Sequence, residues 1–397
     1  MEKQVYLDNN ATTMVAPEVL DAMLPFYRDM YGNASSMHYF GGRVAKDMEK
    51  ARHQVAELLG AENDFEITFT GTATEGDNLA IRGIISYYRD KKHVITSTVE
   101  HPAVLNLCRQ LEKEGYRVTY VPVDINGVVD LDILKNAVCE ETAIVSIMHA
   151  NNETGVIMPV KEIGEFLKEK KVPFHIDGVQ AAGKIPVDVK ELNCDLYTIS
   201  AHKFHGPKGI GALYVKKGTR MRPMIYGGHQ EKGRRPGTEN VPGIVGMGKA
   251  AEMALLHLKD MNRVSALRDR LQSEVLKRIP TSSVNGGEAA RTPNTANITF
   301  EFIEGESILL HLDQKGIFVS TGSACSTGSL EPSHVLRAMN LPFSKIHGSI
   351  RFSLSRYTSD EDVDYLLSVL PGVIDNLLTI SPFWDNEKKV GCIPQES

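Results

Sequence analysis

From about residue 65 the chain alternates between two periodicities. Short β-rich runs at 66–69, 93–96, 117–123, 143–148, 173–176, 195–200 and 211–215 are separated by helix-like stretches such as 103–113, 131–137 and 160–169. This alternation leaves few architectures open: an α/β fold with a mostly parallel sheet and helices on both faces. Ligands of such sheets gather at the carboxyl ends of the strands, so the residue after each run is where chemistry should be sought. A long helical stretch at 245–278 reads as a bridge. Strands at 296–300 and 350–354 with helices at 306–314 and 360–370 then suggest a smaller α+β domain.

Five segments sit at those strand ends. Thr70 to Asn78 is rich in small residues and opens a helix; a backbone that approaches closely and a helix N-terminus together suit an anion, although Thr74 as a plain N-cap is the simpler account. Val99-Glu100-His101-Pro102 offers a histidine that is either a satisfied loop residue or a ring and proton partner. His149 to Gly155 carries two asparagines, turn formers that can also orient a ligand. Asp177 ends an apolar run, where a carboxylate is costly unless a cation meets it or it serves as a cap. Lys203 lies in Ser200 to Gly209, among histidines, glycines and small residues, and a partly buried lysine can form a Schiff base. An anion cradle, a ring-side histidine, a carboxylate and then an amine, in this order, are the parts that pyridoxal 5′-phosphate requires.

Composition narrows the classes. The 397 residues suffice for two domains, and 42% hydrophobic with 24% charged residues is an ordinary globular mix. A net charge of −6 argues against a general grip on nucleic acid. Met1 to Asp8 lacks a signal-peptide pattern, and no uninterrupted apolar run reaches the roughly 20 residues of a membrane span, so a soluble cytoplasmic protein without membrane attachment is expected. Five cysteines without CxxC or Cys/His spacing speak against disulfides and structural zinc. Cys108, Cys139 and Cys194 read as packing residues and Cys392 as part of the tail. Cys325 differs: the segment from Val319 to Ser329 holds otherwise only Val, Ser, Thr, Gly and Ala, a composition suited to a loop cysteine acting as nucleophile.

These residues resemble the NifS/IscS-type cysteine desulfurases, fold-type I pyridoxal-phosphate enzymes that take sulfur from L-cysteine for iron–sulfur cluster assembly. The likeness runs from Tyr6 to about Leu370 and is most specific at Ser200–Gly209 and Gly322–Cys325, then at Tyr31–His38 and Arg351–Leu354. Gly233 to Asn240 looks closer to the nitrogen-fixation branch. The resemblance implies a large cofactor domain over 15–258 and a small domain of 1–14 and 259–397 that carries the cysteine loop. It implies that Lys203 holds the cofactor aldehyde, Asp177 pairs with the pyridinium nitrogen, Gln180 bonds the ring hydroxyl and His101 stacks on the ring and assists proton transfer, with Cys325, Lys203 and His101 as the catalytic residues. Ala73, Thr74, Ser200 and His202 would hold the phosphate, with Thr238 reaching the partner subunit's phosphate in a homodimer. Asn152 would touch both cofactor and substrate; Arg351 would clamp the cysteine carboxylate, with Asn10 and Asn33 lining the pocket. Cys325 would accept the sulfur as a persulfide and pass it to a scaffold protein of the NifU/IscU type; as a persulfide it could transiently ligate an iron–sulfur unit, no other metal site being expected. Gly71-Thr72 departs from the Ser-Gly frequent in the family's phosphate loop, and Ala34 from a common proline.

Rival readings remain: an aminotransferase or selenocysteine lyase of the same fold, a cysteine hydrolase using Cys325 with His334 or His347, and a non-catalytic assembly scaffold.

Overall fold

The computed structural model describes residues 3–321, 332–385 and 390–391; Cys325 and Cys392 lie outside the described residues. All seven early β-rich runs form strands: β1 (Ile67–Thr70), β2 (His93–Ser97), β3 (Arg117–Val121), β4 (Thr142–Met148), β5 (Phe174–Asp177), β6 (Leu196–Ser200) and β7 (Gly211–Val215). They make one sheet in the order β1-β7-β6-β5-β4-β2-β3. The pairs from β6 to β3 are parallel, while β7 runs antiparallel to both β1 and β6.

Side-chain alternation along the strands assigns the two faces. Ile95, Val145 and Ile147 belong to a core shared with helices α1 (Tyr39–Leu59) and, beyond them in the chain, Val160–Lys170 and Val241–Leu256. Val94 and Ile144 turn the other way, into a core with α2 (Ala73–Tyr87) and α3 (Pro102–Lys113). Both faces are thus covered, which explains why the central strands read as continuous apolar runs. The mostly parallel α/β architecture expected from the alternation is what the chain adopts.

The expected single helix at 245–278 is two, α4 (Val241–Leu256) and α5 (Met261–Arg278), separated by a 3-10 turn at Leu258–Asp260. His257 leaves helical geometry there, and its Nδ1 meets Asp260 Oδ2 at 2.7 Å, a local alternative to continuing the helix.

A second sheet pairs β8 (Ser282–Val284), β9 (Thr295–Phe300) and β10 (Ser349–Ser353), antiparallel with β9 in the middle. Ala296, Ile298 and Phe300, with Ile350 and Phe352, face a core they share with α5 and α6 (Asp360–Ile380). By the same alternation Asn297, Thr295 and Arg351 point to the opposite face. The chain start joins this unit: Val5–Tyr6 pairs with Ile317–Phe318, and Asn9 N donates to Ser353 O at 3.1 Å. Among the described residues α6 is the one helix long and apolar enough to cross a membrane, but Asp364 and Asp375 interrupt it and its apolar side chains, Leu366, Leu370 and Ile374 among them, are buried in this core.

Cys108 and Cys194 are buried as expected. Cys139 is not a packing residue: it is exposed, beside Arg117 Nη2 at 3.1 Å, and the bonds from Thr142 and Arg117 outweigh its partial burial and lower its thiol pKa.

Candidate active site

A cavity of about 520 Å3 opens at the carboxyl ends of β1, β4, β5 and β6. Eleven of the residues singled out from the sequence line it: Asn10, Ala73, Thr74, His101, Asn152, Asp177, Gln180, Ser200, His202, Lys203 and Arg351. Asn33 and Thr238 do not line it and are exposed; Cys325 falls outside the described residues.

The anion end is the turn from β1 into α2. Thr72, not Thr74, caps the helix: its Oγ1 accepts from Glu75 N at 3.1 Å and its carbonyl from Gly76 N at 3.1 Å. The next residues, Ala73 and Thr74, lie in the first turn, whose N–H groups have no intrahelical partner, and both line the cavity. At Gly71 the turn is shaped by the Glu75 side chain. A Cβ at Gly71 would lie 2.8 Å from Glu75 Oε2, the atom that accepts from Gly71 N at 2.8 Å. Glu75 in turn pairs with Arg235 at 2.8 Å.

The floor is built by β5 and β6. Asp177 Oδ1 accepts from Val179 N at 3.0 Å, so its turn role is real, yet the carboxyl also faces the cavity. Burial raises its pKa, against the Val179 bond and the Lys203 charge, to about 6. The next residue must be glycine: a Cβ at Gly178 would stand 1.9 Å from the Tyr197 ring. Lys203 ends the turn Ala201–Lys203 after β6, and its Nζ donates to Asn10 O at 2.7 Å and Ala11 O at 2.8 Å.

His101 caps α3, its Nδ1 accepting from Ala103 N at 3.1 Å. That bond assigns the proton of the neutral ring to Nε2. Burial first, then the charges of Lys203 and His334, lower its pKa to about 4, so the ring is neutral at physiological pH. His202 is likewise lowered to about 4, chiefly by burial.

The opposite wall comes from distant chain segments. Arg351 projects from the polar face of β10; its Nη1 donates to Asn152 O at 2.9 Å and its Nη2 to Asp8 Oδ1 at 2.7 Å. Its Nε is buried without a hydrogen-bond partner, an orphan of the kind a bound carboxylate would satisfy. Asn10 Nδ2 donates to Asn152 O at 3.2 Å and Thr295 Oγ1 at 2.9 Å. The backbone of Arg351 also pairs with Ser320, just before the undescribed stretch, through a 2.7 Å bond from Arg351 N.

Sequence reasoning missed three buried ionisable groups of this region. Asp77 lines the cavity 3.5 Å from His175, its pKa raised by burial and by Asp177. Glu100 ties Ser97 Oγ (2.6 Å) to Met148 N (3.0 Å), and burial raises its pKa to about 8. Lys184 contacts Asn10 and Gln180. The signal was present for Glu100, which adjoins His101 at a strand end; an isolated lysine four positions after Gln180 carried none.

The residues present suit pyridoxal 5′-phosphate: a helix N-terminus opens on one end, a buried carboxyl lies on the floor and a lysine amine joins it in one cavity. Among the described residues no group of acids, histidines and cysteines could hold a metal ion.

Comparison with known proteins agrees in kind. Residues 5–366 match the family model Aminotransferase class-V. A cysteine desulfurase of Trichormus azollae is 56% identical over 384 residues, 96% of each chain. A solved NifS-like protein superimposes with a TM-score of 0.89 at 41% identity, covering 94% of this chain and all of the other. SspA, solved in complex with cysteine, gives 0.78 at 36% identity, covering 90% of this chain and all of the other.

Proposed function

The chain belongs to the class-V aminotransferase family and, matched along nearly its whole length by a cysteine desulfurase 56% identical to it, is a cysteine desulfurase; we propose that it converts L-cysteine to L-alanine and a persulfide on Cys325. The observation that carries the reading is the shared cavity: Lys203 and Asp177 from adjacent strand ends, and Arg351 opposite them. The family is pyridoxal-phosphate dependent, and when bound the cofactor supplies an electron sink for the pair released at the substrate Cα.

This chain's residues do the rest. Ala73, Thr74, Ser200 and His202 hold the phosphate, joined by Thr238 from a second subunit in a homodimer. Asp177 would pair with the ring nitrogen, Gln180 would donate to the ring hydroxyl, and His101 and Asn152 would contact the ring, all four lining the same cavity. Lys203 would hold the cofactor aldehyde, and its amine, when free, would move the proton at the substrate Cα. Arg351 exchanges Asp8 for the substrate carboxylate, with Asn10, Asn33 and Asn152 completing the pocket. The Cys325 thiolate attacks the substrate sulfur. A sulfur–sulfur bond forms, the Cβ–Sγ bond breaks, and its electron pair takes up a proton on the way to alanine, so two sulfurs are each oxidised by one electron as one carbon is reduced by two.

The core of the second sheet, which takes in Val5, Leu7 and residues from Val264 to Leu378, supports units of 15–258 and of 1–14 with 259–397, although Val335, Leu336, Met339 and Ile346 pack into the first core. Delivery to an iron–sulfur scaffold protein, with Cys325 as persulfide donor in the cytoplasm, is the cellular role the reading implies; nitrogenase maturation is the branch favoured by Gly233 to Asn240.

Mass spectrometry of Cys325 after L-cysteine addition, with alanine measured in parallel, tests the reading. One added sulfur per alanine is expected; a keto acid without persulfide would make the chain an aminotransferase.

A further inference from the structure

Lys184 is 7% exposed, lines with Lys203 a separate small cavity of about 30 Å3, and has no carboxylate among its hydrogen-bond partners. Its Nζ donates to Asn10 Oδ1 at 3.0 Å and, in a shorter contact, to Gln180 Oε1. Gln180 Nε2 donates to Asn10 O at 3.0 Å, the same carbonyl that receives Lys203 Nζ at 2.7 Å. A buried amine is an expensive way to fill space, so the two amide oxygens it satisfies are the place to look for its use.

An amide side chain can sit either way round, and only its partners decide. Reversing Gln180 would aim Oε1 at the Asn10 carbonyl and its NH2 group at the Lys184 amine, two mismatched contacts in place of two bonds. The mismatch at Lys184 is complete when its amine is charged; a neutral amine could accept from a reversed NH2, and the facing Oε1 and Asn10 carbonyl oxygens then keep the orientation. With Oε1 turned to Lys184 and one Nε2 hydrogen on Asn10 O, the second Nε2 hydrogen is the donor Gln180 has left for the cavity it lines.

We propose that Lys184 is a positioning residue that locks the Gln180 amide with its NH2 as the donor to the cofactor's ring hydroxyl. The inference rests on the pyridoxal-phosphate reading above. Asn10 is held by the same amine: its Oδ1 accepts from Lys184 and from Asn294 Nδ2, both at 3.0 Å, which leaves its own NH2 for Asn152 O and Thr295.

The test reconstitutes the full chain with pyridoxal 5′-phosphate or with 3-deoxypyridoxal 5′-phosphate, which lacks the ring hydroxyl, and follows binding by visible absorbance. Lys184→Met and Gln180→Ala should each weaken the natural cofactor about tenfold, the double variant no more than either single one. All three should bind the deoxy cofactor within about twofold of the parent, because the contact they disrupt is absent there. Lys184→Gln, which keeps a shorter donor, should fall between the parent and Lys184→Met. Unchanged affinity in Lys184→Met, additive losses in the double variant, or equal loss of both cofactors would each overturn the proposal. A parent chain that takes up neither cofactor would instead overturn the pyridoxal-phosphate reading itself.

Discussion

The floor of the cavity and its far wall are built in opposite ways. The floor is local: Asp177 ends a strand and Ala73, His101 and Lys203 each follow one, all in one sheet and within residues 73–203. The wall joins segments remote in sequence, since Arg351 bonds Asp8, 343 positions away, and Asn152, 199 positions away. Their charges are managed differently too. On the floor burial dominates, moving Asp177 up to about 6 and His101 down to about 4. On the wall Arg351, its side chain 4% exposed, is held by a direct ion pair with Asp8, which is 20% exposed. A floor set by the sheet can be rigid before any ligand arrives, whereas a wall held by an exchangeable pair can trade a protein carboxylate for a substrate one.

Changes in the floor should therefore strike the chemical step, and changes in the wall should strike substrate binding. The largest effect is expected for Lys203→Ala, which removes both the aldehyde anchor and the proton carrier; alanine formation should fall by about 10,000-fold and the cofactor's visible absorption should disappear. Asp177→Asn keeps the shape and removes the charge facing the ring nitrogen. A kcat loss of roughly 100- to 1,000-fold, with cofactor still bound, is expected by steady-state assay. Arg351→Lys keeps the charge and loses the planar fork. Here KM for L-cysteine should rise about 30-fold while the cofactor spectrum is unchanged; a kcat defect without a KM change would erase the contrast between floor and wall.

Burial on the floor also makes the cofactor-free protein sensitive to pH. Glu100, raised to about 8, and Asp177, raised to about 6, keep protons in the fold that the unfolded chain releases. Their stabilising contribution is full below the ordinary carboxylate pKa and is lost as pH rises through those values. His101 and His149, lowered to about 4, refuse a proton that the unfolded chain takes up, so their contribution is full above the ordinary histidine pKa and is lost as pH falls toward 4. Thermal melting should thus show a crest between an acid and an alkaline limb. Glu100→Gln, which cannot ionise, should narrow the gap between melting points at about pH 6 and about pH 8.5 by about 2–4 °C.

The same division separates what the sequence disclosed from what it concealed. Strand alternation and the rule of carboxyl-end ligands led to His101, Asp177 and Lys203 from physics, because each is a local consequence of where a strand stops. Arg351 came through family resemblance alone. Its direction depends on Ile350 and Phe352 entering the second core, and its partner Asp8 is set by pairing of the chain start with Ile317–Phe318. Neither contact is written in any local pattern. The helix break at His257 and the exposure of Cys139 were hidden for the same reason, since spacing alone does not register a turn bond or a neighbouring Arg117.

The smallest expected effect probes whether the wall pair is exchangeable. Asp8→Asn leaves an oxygen for Arg351 Nη2 but removes the charge that competes with the substrate carboxylate. If Asp8 only holds the guanidinium until substrate arrives, weakening it should help cysteine: KM should fall about threefold with kcat within about twofold, the scale of one partly exposed ion pair. If Asp8 is instead a fixed brace, the freed guanidinium would wander and KM would rise, as in Arg351→Lys but by less. The sign of the change, read from initial rates of alanine formation across L-cysteine concentrations, decides between an exchangeable latch and a permanent strut.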